Sequence, residues 1–148
     1  MSSPILDLAD AVVTLLNAQT LSLSFTAART YVPKFDTATA SSVQVKVVPA
    51  SDSRSPQGTA HDGATMVIDV GVMKRLQNSL ATETTEIDAA MAFVEEIRGV
   101  LNRVRPSVSI DAICTEISQS PIYDVTEVDE RRVFLTVLSA TYYEAVAI

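Results

Sequence analysis

A chain of 148 residues that is 47% hydrophobic and only 20% charged has the size of one domain, here 1–148, and more apolar surface than a lone monomer needs, so self-association is expected. With one cysteine, Cys114, and one histidine, His61, an internal disulfide is excluded and a structural zinc site within the chain is not expected, while the net charge of −7 argues against affinity for phosphate-bearing partners. No apolar run reaches the ~18 residues of a membrane span and the start MSSPILDLADAVV lacks the basic region of a signal peptide, so an intracellular, soluble chain is expected.

The first element reads as a helix from about residue 4 to about residue 17. Ser3 stands at the N-cap and Pro4 at the first helical position, and Ile5, Leu8, Ala9, Val12, Leu15 and Leu16 recur at helical spacing. LSLSFTA, residues 21–27, then alternates apolar and hydroxyl side chains as a half-buried strand, with continuation through Arg29 and Tyr31 until Pro33. VQVKVV, residues 43–48, alternates again and stops at Pro49. ASDSRSPQGTAHDGA, residues 50–64, lacks any apolar period and reads as a long loop, a candidate reaching arm. The third strand, TMVIDVGVMKRL, sets Met66, Ile68, Val70 and Val72 on one face.

A second helix is expected from a capping box at Thr85 and Asp88 to Pro106, with Ile87, Met91, Val94, Ile97, Leu101 and Val104 as its stripe. A fourth strand is expected in SVSIDAICTEI, residues 107–117, and a solvated acidic connection in 124–130. The last strand, RRVFLTVLSATYYEAVAI, has two apolar faces, Val133, Leu135 and Val137 on one and Phe134, Leu138, Ala140 and Tyr142 on the other. One face calls for helices; the second calls for cover from outside the chain, most economically a neighbouring subunit. Together these elements imply an α+β fold, two amphipathic helices packed on one face of a mixed, largely antiparallel sheet of about five strands.

No residue pattern carries catalysis or a cofactor. His61 lies in GTAHDGA without a nucleophile elbow, and the four glycines are scattered, so neither a dinucleotide fingerprint nor a phosphate loop occurs. Glu95 and Glu96 diverge on the second helix, Asp7 and Asp10 share a face of the first, and neither pair has a third ligand at metal spacing; both read as solvated faces. DVTEVDE, residues 124–130, lacks the spaced oxygens and central glycine of a calcium loop. Arg131 and Arg132 after it suit an acidic partner or pair locally with Glu127, Asp129 or Glu130. The acids are uneven along the chain: residues 1–74 hold 6 acids and 5 bases, residues 75–148 hold 12 acids and 6 bases.

ILDLADAVVTLLN, FTAARTYVP, HDGATMVIDVGVMKR, MAFVEEIRGVL and SPIYDVTEVDERRVFLTVLSATYY together resemble the tail terminator or neck proteins of the bacteriophage head-to-tail junction. Tyr31, Pro33, His61, Val70, Gly71, Pro121, Tyr123, Phe134 and Tyr142 are the residues that mark the likeness. The resemblance implies a tail-terminator-like fold and a non-enzymatic virion protein, assembled in the host cytoplasm. It further implies a ring, typically a hexamer, that caps the tail tube, joins it to the head and meets tube, connector or stopper, and sheath proteins. DNA would pass through its lumen without specific binding, an acidic wall giving phosphate nothing to hold. The expected contacts with a neighbour or partner are Arg54, His61, Asp62, Arg131, Arg132, Phe134, Leu138 and Tyr142. Two other readings stand beside this one: a head-completion or stopper protein on the portal side, and a small oligomeric enzyme or ligand-binding domain.

Overall fold

The computed structural model describes residues 3–31, 43–76, 80–103, 105–106, 112–119, 123–124, 128 and 132–147. Helix α1 is Pro4–Asn17, started by the fixed φ of Pro4; the Ser3 carbonyl accepts from the Asp7 amide at 2.9 Å, while the Ser3 hydroxyl makes no capping bond. Five strands follow around a second helix: β1 Phe25–Arg29, β2 Val43–Pro56, β3 His61–Arg75, α2 Leu80–Arg103, β4 Ile113–Gln119 and β5 Val133–Ala147. They form one sheet in the order β1-β2-β3-β5-β4, with β1 parallel to β2 and the other neighbours antiparallel.

Alternation along the long strands decides which side chains enter the core. Val45, Val47, Ile68, Val70, Leu138, Ala140, Met66 and Tyr142 are fully buried on one face, in register across β2, β3 and β5. Leu8, Val12 and Leu16 of α1 and Phe93, Ile97 and Leu101 of α2 join the same cluster. Phe25 meets Phe93 edge to face at 5.3 Å between ring centroids. On the reverse face, Met73 and Val133 form a small second cluster with Leu135.

Three sequence readings need correction. First, the stretch 50–64 is no loop: β2 continues through Pro49 to Pro56, with a bulge between Pro49 and Ser51, and β3 begins at His61. Residues 50–61 are all exposed, so this hairpin is held by backbone ladder bonds and shows no apolar period. Second, the expected packing of two amphipathic helices on one face of the sheet needs correction in how the helices are placed. α1 lies against β1 and β2 and α2 against β4 and β5, at opposite edges of the sheet. Only the latter part of α2 is core: from Thr82 to Ala89 no side chain is fully buried, and burial begins at Ala90. What stands is an α+β fold with a mixed five-stranded sheet and two helices. Third, α2 starts at Leu80, so Thr85 and Asp88 lie within the helix and do not cap it, and β1 starts at Phe25 because the chain before it is tied elsewhere.

That tie is Glu96 of α2, whose Oε2 accepts from the Ser22 hydroxyl at 2.6 Å and from its backbone amide at 3.2 Å. Residues 107–111 of the expected fourth strand, and Val104 of the α2 stripe, lie outside the described residues, as does most of 124–130; within the latter, Asp124 donates its amide to the Leu135 carbonyl and Val128 is buried. Among the described residues no helix is long and apolar enough to cross a membrane.

Candidate functional site

Arg54, His61 and Asp62 all sit on the β2–β3 hairpin that projects from the core. Its turn closes with the Gln57 amide donating to the His61 carbonyl at 3.0 Å and Gly58 at φ 91°, a backbone conformation that suits glycine. Arg54 pairs within its own strand, Nη2 lying 3.3 Å from Asp52 Oδ2; an exposed pair of this kind contributes little to stability. His61 is exposed opposite Ala147, and Asp62 is half-buried between Pro56 and Val146. Gly63 is buried under the Gln57 amide and the Tyr143 hydroxyl, which would stand 2.7 and 2.8 Å from an added Cβ, so a small residue lets these two side chains close over the strand.

Arg131 lies outside the described residues. Arg132 stands with its Nη1 3.1 Å from Oε2 of Glu83 in the first turn of α2, and its backbone takes a positive φ of 55° as β5 begins; Glu127, Asp129 and Glu130 lie outside the described residues. Opposite charge near a helix N-terminus makes Glu83 a natural partner, since the helix dipole already favours a carboxylate there.

Phe134, Leu138 and Tyr142 are in the chain's own core, each 0% exposed. The Tyr142 hydroxyl has no hydrogen-bond partner among the described residues. Burial, and behind it the Cys114 thiol across the strand pair, pushes the phenol well above its ordinary range. Burial likewise raises the Cys114 thiol, whose Sγ lies 3.8 Å from the Glu116 carbonyl it donates to. A thiol held protonated in this way is a poor nucleophile and a poor metal ligand. No cluster of three or more His, Cys, Asp or Glu able to hold a metal occurs among the described residues. The carboxylates weighed as pairs have separate partners: Glu95 faces Arg98 at 3.6 Å, Glu96 holds Ser22, and Asp10 pairs with Arg29 at 3.1 Å.

The sheet's edges are treated unequally. On β1, the Asn17 side chain copies a strand: Nδ2 donates to the Ala27 carbonyl and Oδ1 accepts from the Ala27 amide, both at 3.0 Å. The middle of that edge is therefore satisfied from within the chain. β1 pairs with β2 only as far as Val47; beyond it the β2 edge carries Pro49, a bulge, Asp52, Arg54 and Pro56, features that discourage strand addition. At the β5–β4 side, Gln119 donates to the only buried polar side chain, Thr136, among the described residues, at 2.8 Å and accepts from Arg98 at 3.2 Å.

Sequence reasoning missed two exposed apolar positions, Ile113 at 59% and Val137 at 39%, as candidates for contact. Both lie on the reverse face of the sheet, and the signal was present for Val137, which falls on the second apolar row of β5.

No family model matches the chain, and no curated protein matches it. A solved chain from the virion of a native gene transfer agent particle has a similar fold, with a TM-score of 0.57 over 99% of this chain and 100% of that one, at 14% identity.

Proposed function

We propose that this chain is a structural, non-catalytic component of a phage-like particle, and within it a ring-forming tail terminator or neck protein that caps the tail tube and joins it to the head. The observation that carries the reading is the likeness of fold over the full length of both chains to a subunit of a gene transfer agent virion. The order of elements and the marked residues that resemble the terminator family support the finer placement. On this reading the partners are further copies of the chain in a closed ring, typically a hexamer, the tube protein below, and the connector or stopper above, with a sheath protein where the tail is contractile. Localisation is the virion, at the head-to-tail junction. DNA passes through the ring without being retained, which suits a chain of net charge −7.

The test is a binding comparison. Purified protein is mixed with isolated tail tubes and, separately, with portal assemblies, and the complexes are imaged by electron microscopy. Rings capping tube ends are expected. Attachment to portals alone would move the chain to the head-completion position, and attachment to neither would overturn the reading.

A further inference from the structure

The charge of this chain is segregated between its helices and the reverse face of its sheet. α1 and α2 hold seven acids against two arginines, a balance of −5 out of the −7 of the whole chain. The reverse face, defined by the residues alternating with the core row, carries Lys46 and Arg75 against Asp69 and Glu116, a balance of zero, and Asp69 is already engaged by the Ser139 hydroxyl at 2.7 Å. Between these charges lie hydroxyl and apolar side chains, among them Thr65, Val67, Val137, Thr141 and the exposed Ile113. From Gly71 to His61 this surface runs ~35 Å along three strands, ~14 Å wide, and β4 widens it to ~19 Å opposite 65–70, on the order of 600 Å².

We infer that the reverse face is where a second copy of this chain docks. Two copies of an acidic protein repel wherever their acids face each other, and helix against helix would oppose two balances of −5; the face of zero net charge is the surface on which the copies meet without that cost. Its size, ~1,200 Å² when both partners are counted, lies at the low end of specific interfaces and predicts an association that grows with concentration. The fate of the sheet edges points the same way, since the Asn17 amide occupies β1 and the prolines, bulge and charges guard β2, leaving a face rather than those edges for contact. The inference rests on the self-association in the reading above and names a surface for it; a face that meets its own copy closes a two-fold pair, so a ring is built from such pairs through a second contact.

The experiment is sedimentation over a wide concentration range at low and high salt, on the wild type, Val137→Glu, Thr65→Glu and the helix control Asp88→Lys, with circular dichroism to check folding. Thr65 and Asp88 are exposed, so at least these two variants keep the fold. A discrete wild-type oligomer is expected, with each Glu variant needing at least ~10-fold more protein to assemble and Asp88→Lys staying within about twofold. Little change with salt is expected for a contact without net charge. Glu variants that assemble like the wild type overturn the docking face while leaving the ring reading intact. A wild type that stays monomeric to ~1 mM overturns the inference. An oligomer that responds to the Glu variants but binds no tail tube keeps the face and removes the terminator reading.

Discussion

Alternate residues of the same strands build two surfaces that differ in almost every physical respect. On the core side, Met66, Ile68, Val70, Leu138, Ala140 and Tyr142 are at 0% exposure. On the reverse side, the neighbours Thr65, Val67, Asp69, Val137, Ser139 and Thr141 are exposed or half-buried, with polar pairs such as Ser139 to Asp69. The lesson is that burial, not strand membership, sets what a position is worth: identical backbone ladders carry both rows, yet over 65–70 and 137–142 only one row is held by dispersion and by removal of apolar surface from water, the reverse row being buried beyond it at Met73 and Val133.

The comparison is broken most severely on the core side. Phe134→Ala is expected to cost about 3–5 kcal/mol in chemical denaturation, because it leaves a cavity beside Tyr123, whose ring lies 6.3 Å from that of Phe134. An edge change comes next. Asn17→Ala removes both partners of Ala27 and is expected to cost about 1–3 kcal/mol by the same measurement, with increased aggregation as the β1 edge opens. Tyr142→Phe sharpens the contrast from within the core, since it deletes a buried hydroxyl that has no partner among the described residues, and stability at pH 7 should rise or change by less than about 1 kcal/mol.

Its pH dependence is the more telling readout. The folded phenol is raised above its unfolded value, so the folded state holds its proton where the unfolded chain releases it. Stability from this group is complete below the unfolded value of ~10 and falls as pH climbs beyond it toward the folded value. Tyr142→Phe should flatten that alkaline loss in denaturation curves recorded across the range, and an unchanged slope would assign the loss to other groups. Smallest of all are the changes on solvent-facing positions. Val137→Thr and Arg54→Ala should each shift the unfolding free energy of the monomer by less than about 0.5 kcal/mol, the first because its site is 39% exposed and the second because its pair with Asp52 is solvated.

Legibility followed the same division. The helix at 4–17 was read from apolar spacing and from Pro4, and the two rows of β5 from alternation, because each of these segments is half in the core and its pattern records that fact. The hairpin was lost for the opposite reason: residues 50–61 are exposed on both faces, so nothing in their side chains reports that the backbone is paired. At α2, Thr85 and Asp88 imitate a helix start, whereas the helix begins at Leu80 with Glu83 in its first turn, paired to Arg132 from a distant segment. Of the expected contact residues, Phe134, Leu138 and Tyr142 are 0% exposed and lie inside the chain's own core, because alternation along one strand separates its two faces without saying which of them the helices cover.

By itself the sequence determined the α+β composition, the apolar rows that must be covered and the absence of a motif for catalysis, since these depend on residue type and spacing within one segment. Only the tertiary structure decided that β1 runs parallel to β2, that Asn17 seals an edge ten residues away, that the helices divide between opposite edges of the sheet, and that the acids gather on the helices while the reverse face is neutral. Each of these is a relation between segments distant in the chain, and loop closure and packing, which no local pattern encodes, set which segments meet.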